Sequence, residues 1–333
     1  MDVVDRPALD GARVERTDGG FAGFVRQGTT LEMKAFTGVT GDAGGFAVPR
    51  EIDAEIARVL KSVSPIRAIA NVVTVGSAGY RKLITTGGTP SGWATETGPR
   101  PETASPVFSE LVPPMGELYA NPSASQAMLD DAAFDVEAWL AAEIAIEFAK
   151  AEGAAFVNGN GVNRPRGFLA QPISTAKDGS RPLGTLQYLP SGAASDFGTA
   201  PDERLVDLVQ SLRAPYRQGA SFVMNASTLA RIRKFKSADG MPLWQPSLAG
   251  GQPASLLGYP VVEAEDMPDI GANASAIAFG NFRAGYLIAE RAETAILRDP
   301  YSNKPFVGFY ATKRIGGCVA DSEAIKLMKF ATA

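Results

Sequence analysis

The sequence predicts an α+β protein whose fold is completed by contact with other molecules. Helix-period and strand-period segments follow one another without the βαβ rhythm of a doubly wound sheet. One long amphipathic helix is expected over residues 134–157, and a β-ribbon over residues 77–117 has no evident core of its own. At 333 residues the chain exceeds the roughly 250–300 that a single compact core serves, so two domains or one elaborated domain are expected.

Residues 1–45 mix glycines with scattered charges and show no sustained period. A disordered tail fits them, and so does an arm that orders on a neighbour through Phe21, Phe24, Val25, Leu31 and Phe36. Residues 50–62 carry Ile52, Ile56 and Val59 or Leu60 at helical spacing, which predicts a short amphipathic helix ended by Pro65. Val72–Val75 reads as a strand.

Two strand-like arms, Tyr80–Thr86 and Pro106–Val112, flank a polar tip from Gly87 to Ala104. An isolated hairpin is marginal in water, and long irregular loops in compact domains usually serve a function. Another molecule is therefore the expected partner surface for this ribbon. Arg81, Lys82, Trp93, Glu96, Arg100 and Glu102 are its candidate contact residues.

Over 134–157, Val136, Trp139, Leu140, Ile144 and Phe148 recur every three or four residues and line one face, expected to be core. Glu137, Glu143 and Lys150 lie off that stripe, and Gly153 weakens the end. At about 1.5 Å per residue such a helix spans roughly 35 Å, enough for the spine of an elongated domain.

Beyond a Gly159–Gly167 turn, Thr199 and Asp202 resemble a helix-start box before Leu205, Leu208, Val209 and Leu212. A strand at Ser221–Met224 and a basic helix at Ser227–Lys236 follow, then a Gly/Pro-rich loop over Gly240–Gln252. Strands are expected near Tyr259–Glu263, Ala276–Phe279, Tyr286–Ala289, Ala295–Arg298 and Pro305–Lys313, with a closing strand-helix from Cys318 to Phe330.

Composition narrows the chemistry. There is no histidine, the commonest metal ligand and the side chain that titrates near neutrality, and there is a single cysteine, Cys318. Histidine-dependent nucleophile systems and most zinc or iron sites are thereby excluded, as is an internal disulfide. The formal net charge of -4 argues against a dedicated nucleic-acid reader. No apolar run approaches the ~20 residues that span a bilayer, and residues 1–20 lack a signal-peptide core, so synthesis in a cytoplasm is expected.

Candidate motifs weigh toward structure. The Gly159-Asn160-Gly161 stretch lacks the glycine spacing and preceding strand of a dinucleotide loop, and reads as a helix-ending turn. Asp130/Asp131 and Glu263/Glu265/Asp266 sit beside expected turns, where carboxylates are ordinarily solvated or capping. Arg231, Arg233, Lys234 and Lys236 form either a solvated helix face or a contact with another subunit or a phosphate. Cys318, beside Gly316 and Gly317, is expected to act as a small buried apolar residue. No catalytic residue, metal site or cofactor is predicted.

Several segments, in order, resemble the tailed-bacteriophage major capsid family with its Hong Kong 97-type (HK97-like) capsid fold. Gly44-Gly45-Phe46-Ala47-Val48-Pro49 is similar to the family's lead-in to its first helix. Asn158-Gly159-Asn160-Gly161 with Arg164-Pro165-Arg166-Gly167-Phe168-Leu169 resembles the turn after the long helix. Leu257-Gly258-Tyr259-Pro260-Val261 matches a further family segment. Phe279-Gly280-Asn281-Phe282 with Gly285-Tyr286, and Arg314 with Asp321 and Ala324, resemble its closing strands.

The resemblance covers residues 44–330. It implies an N-terminal arm (1–45), an extended loop (77–117), a peripheral domain from 46–76, 118–167 with the spine helix, and 293–314, and an axial domain from 168–292 and 315–333. It implies a shell of hexamers and pentamers enclosing double-stranded DNA, in a phage, prophage or gene transfer agent. Portal, scaffolding, protease and decoration proteins are the implied partners, with weak non-specific DNA contact and no membrane. The Gly240–Gln252 loop, with Trp244, would approach the five-fold and six-fold axes. Some relatives crosslink their subunits through a loop lysine, an asparagine and a glutamate. Here Ala94-Thr95-Glu96-Thr97-Gly98 has no lysine, Lys304-Pro305-Phe306 no asparagine, and Thr312 replaces the acid, which implies a non-crosslinked shell. An encapsulin-type nanocompartment is the nearest alternative, and a carboxylate-dependent enzyme a remote one.

Overall fold

The structure, a computed structural model, describes residues 64–76, 80–86, 91–98, 100, 102–131, 136–198, 200–236, 255–291 and 294–332. The expected arm, the 50–62 helix, the Gly240–Gln252 loop, and with them Phe36 and Trp244, lie outside the described residues.

Among the described residues fifteen strands form three sheets. The first is organised on one long strand, β14 (Phe306–Val319), which pairs antiparallel with β4 (Met115–Ala120), β5 (Ser123–Ser125), β12 (Tyr286–Arg291) and β13 (Ala295–Asp299). β1 (Asn71–Val75) adds parallel to β12. β14 alternates buried Val307, Phe309, Ala311 and Lys313 with outward Phe306, Tyr310 and Arg314, the signature of a sheet covered on one side. From Ile315 onward it is buried continuously. Gly316 is required there, because a Cβ would sit 2.4 Å from Met115 Sδ and 2.7 Å from the Pro114 carbonyl.

The second sheet runs β6 (Ile173–Ser174), β7 (Leu186–Pro190), β15 (Ile325–Lys329), β11 (Ile277–Gly280), β8 (Ser221–Met224), β10 (Tyr259–Glu263), β9 (Ser255–Leu256). Its central strands are buried on both faces. Val223, Ala278 and Leu327 pack into one core with Phe156, Phe168 and Tyr286. Phe222, Phe279 and Met328 pack into another with Leu205, Leu208, Val209, Leu229 and Ile232. This double burial explains why these strands read as unbroken apolar runs. It also corrects the expected closing helix: residues 325–329 are strand β15, and no helix follows Cys318. A helix there would have broken pairing with β7 and β11 on both edges.

The described α-helices are α1 (Pro65–Ile69), α2 (Gln126–Asp131), α3 (Val136–Asn158), α4 (Pro201–Ser211), α5 (Ala214–Arg217), α6 (Ala226–Arg233) and α7 (Phe282–Gly285). While the 50–62 helix it was expected to end lies outside the described residues, Pro65 starts a helix. Its fixed φ and missing N–H suit a first turn, where that donor has no intrahelical partner. α4 is capped at Ala200 with no side-chain hydrogen bond, and Asp202 and Glu203 supply first-turn charges favourable to the helix dipole; Thr199 of the expected helix-start box lies outside the described residues. α6 has a true cap, Asn225, whose side chain accepts from the Thr228 N–H at 2.9 Å.

α3 continues through Gly153 to Asn158 and lays Ile144, Ala145, Phe148 and Ala149 on Ile296 and Ala311 of the first sheet. Trp139 departs from expectation: it is 49% exposed. Cys318 is buried as expected, and burial pushes its thiol up to about 12. The fold therefore favours the neutral thiol, and this contribution is complete below the usual thiol range and lost only as pH climbs toward the raised value. A thiol reagent at pH 8 should leave the native protein unlabelled and modify one site after denaturation; rapid native labelling would contradict the buried position.

Candidate assembly surface

The third sheet is the ribbon, β2 (Lys82–Thr86) paired antiparallel with β3 (Val107–Leu111). Lys82 opposes Leu111, Leu83 opposes Glu110, Ile84 opposes Ser109 and Thr85 opposes Phe108. Directly opposed residues share a face. Lys82, Ile84, Ser109 and Leu111 are half-buried, so one face rests partly on its own chain, with the Lys82 charge near Cys318. The other face is open. Leu83 is 70% exposed, Phe108 65% and Val112 53%.

That arrangement sorts the candidate contact residues. Arg81 Nη1 donates to both oxygens of Glu110 at 3.1 Å, an exposed pair that stiffens the ribbon and contributes little to stability. Lys82 lies on the inward face. Trp93, at 106% exposure, projects entirely into solvent. Glu96 lies in an exposed turn closed by Gly98 N–H to the Thr95 carbonyl at 3.2 Å, and Arg100 and Glu102 are exposed beyond it. On α6, Arg231 pairs with Asp196 at 2.9 Å and Arg233 is exposed. The α6 cations lie on a helix packed against the second sheet, and the other candidates on the third sheet and its tip.

Leu83, Phe108 and Val112 were not singled out from the sequence, although the signal exists. Leu83 and Ile84, like Phe108 and Leu111, put apolar groups on both faces of a two-stranded ribbon. Only one face can rest on the parent chain. Covering the other would contribute about 1–2 kcal/mol per large side chain.

A second feature absent from the sequence reading is a buried ring of charge beneath α3. Arg67 on α1 donates to Glu152 at 3.2 Å and to Glu290 of β12. Lys313 of β14 donates to Glu152 at 2.9 Å and lies 3.5 Å from Glu290. Glu152 is wholly buried and Arg67 and Lys313 nearly so. Two cations and two anions thus neutralise each other at the junction of four elements. Across the second sheet, the buried Lys326 ammonium donates to Asp178, which also receives Arg181. Burial holds Lys326 below the usual lysine range against the opposing pull of Asp178.

These ions are structural in their partners. A cleft of about 440 Å³ beside α3 contains the carboxylates Glu117 and Glu152, and each is engaged by a cation, Arg314 at 3.1 Å and Lys313 at 2.9 Å. Asp266, pushed up by burial and by Glu265, packs against Gly153. Among the described residues no group of three or more acidic, cysteine or histidine side chains is placed to hold a metal, and no helix is long and apolar enough to cross a membrane.

The profile of the phage capsid family matches residues 44–330. The chain is similar to the capsid of an empty gene transfer agent particle at 52% identity, over 81% of this chain and 90% of that one, with a TM-score of 0.73. Similarity to the capsid of a native gene transfer agent particle is 47% identity over 91% and 98%, with a TM-score of 0.75. A chain from Microbacterium phage Oxtober96 shares the fold alone, at 13% identity over 91% and 99%, with a TM-score of 0.58. Comparison with curated protein sequences gives no match.

Proposed function

Because the chain belongs to the phage capsid family, we propose that it is the shell subunit of a gene transfer agent-type particle, assembling as pentamers and hexamers around double-stranded DNA. The observation that carries this is the open face of the ribbon, three apolar side chains on an element that the described residues cover only on the other side. The particle type is supported by identities of 52% and 47% to gene transfer agent capsids, against 13% for the phage chain.

In this reading the second sheet with α4 and α6 belongs to the axial domain, and α3 with strands β4, β5, β13 and most of β14 to the peripheral domain. The ribbon is the extended loop that lies across an adjacent copy. The role is structural and not catalytic. Portal and maturation proteins would be partners of the assembled particle. The net charge of -4 keeps contact with packaged DNA weak and salt-sensitive.

Electron microscopy of the purified protein, with and without nuclease treatment, tests the proposal. Closed shells or five- and six-membered rings are expected, with nuclease-protected DNA in particles from producing cells. A monomer that stays monodisperse at high concentration would sink it, and particles filled with protein cargo and no DNA would favour a nanocompartment. Because Ala94–Gly98 carries no lysine and Thr312 stands where crosslinking relatives have an acid, boiled particles should run as a single monomer band; a ladder of covalent oligomers would refute that expectation.

A further inference from the structure

We propose that Leu257 is an intersubunit contact residue, retained at a hairpin tip for a second copy of this chain and not for its own fold. The inference rests on the shell-subunit reading and adds a specific residue to it. Strands β9 and β10 pair with Leu256 opposite Tyr259 and Ser255 opposite Pro260, so Leu257 and Gly258 alone make the turn. Their φ values are +51° and +83°. Two left-handed residues between antiparallel strands define a type I′ turn, whose first position strongly favours Asn, Asp or Gly.

Leucine is out of place there. A left-handed residue with a bulky side chain sets its Cβ against the following carbonyl. Among the described residues three non-glycines have positive φ, and the other two, Asn163 and Asn273, are the type that tolerates it. Nor does core packing offset the strain. Leu256 is 4% exposed and belongs to the core against which Tyr259 and Val261 also pack; Leu257 is 48% exposed and outside that core. The chain thus holds an apolar side chain in a conformation that opposes it, with half of its surface in water.

A contact outside the subunit accounts for both facts. Among the described residues β9 is the last strand of its sheet, so the turn lies at that sheet's edge. Rings with five-fold or six-fold symmetry close through head-to-tail contacts, in which one edge of each copy meets a different surface of the next. A relative at 47% identity is the capsid of a particle computed with C5 symmetry. A neighbouring copy in such a ring is the occupant to which the position points.

The test compares wild type, Leu257→Asn and Leu257→Met. Subunit unfolding temperature is measured on the unassembled fraction, and assembly by size-exclusion chromatography and microscopy across a concentration series. Leu257→Asn should raise the subunit unfolding temperature by about 1–3 °C, since it relieves the turn. It should also raise the concentration needed for rings or shells at least tenfold. Leu257→Met keeps the apolar reach and should assemble like wild type. A lower unfolding temperature for Leu257→Asn would show that Leu257 serves its own subunit, and unchanged assembly would show that no neighbour uses it; either overturns the proposal. A wild type that forms no rings or shells overturns the shell reading itself, which is a different result from a wild type and variant that assemble alike.

Discussion

A subunit carrying Leu83→Lys with Phe108→Thr should remain folded and fail to form shells. Both side chains project from the open face of the ribbon, 70% and 65% exposed, so their loss removes little from the isolated chain; exposed substitutions usually stay within about 0.5 kcal/mol. The choices protect the ribbon. Leu83 lies directly across from Glu110, where a lysine makes a favourable cross-strand pair and an aspartate would repel. Threonine at the Phe108 position keeps strand propensity and faces Thr85. On a neighbour, however, two apolar contacts become one charge and one hydroxyl. At about 1–2 kcal/mol for covering each of the two side chains, each ribbon contact weakens on the order of a hundredfold. Every copy in a shell makes that contact, so the loss repeats at each addition. Circular dichroism should match wild type while sedimentation shows free subunits. Normal shells would show that the ribbon's open face is not an assembly surface, and a collapsed circular dichroism signal would show that it belongs to the subunit's own core.

The parts of this fold that were legible in the sequence are those in which one face of an element is covered. Ile144 and Phe148 mark α3 because the helix buries a single stripe on the first sheet, and the ribbon arms stand out because strand-formers flank a polar tip. Where two faces are buried, periodicity disappears. Residues 325–329 read equally as helix or strand, and only pairing with β7 and β11 decides between them. Trp139 shows the opposite failure: nine residues from Phe148, it lies about half a turn round the helix from that buried ring, and it is 49% exposed. The contact face was hidden for a related reason. Charged and aromatic residues such as Arg81 and Trp93 draw attention in a sequence, whereas Leu83 and Phe108 look like ordinary core until the structure shows them exposed. Leu257 became visible only through its φ, which composition does not encode.

Glu152→Ala should be the most damaging single substitution to the subunit itself. In sequence Glu152 occupies a core position, four residues after Phe148 and four before Phe156, both of which are buried. A carboxylate is tolerated there because Arg67 and Lys313 reach it from α1 and β14, and Glu290 balances the second charge. Removing the carboxylate leaves two buried cations facing one anion that is itself 16% exposed. Breaking a buried ion pair on one side costs about 3–5 kcal/mol, a large part of the 5–15 kcal/mol that stabilises a typical domain. Low soluble yield and an unfolding midpoint lowered by roughly 5–10 °C are expected. Removing charge from both sides separates this mechanism from simple loss of packing. Glu152→Leu with Lys313→Met fills the space with apolar atoms and leaves Arg67 with Glu290, so this pair should recover most of the stability that Glu152→Ala loses. A double variant less stable than Glu152→Ala would mean that the junction depends on the full ring as a hydrogen-bonded unit. A Glu152→Ala protein as stable as wild type would mean that α1, α3, β12 and β14 are not held by these charges at all.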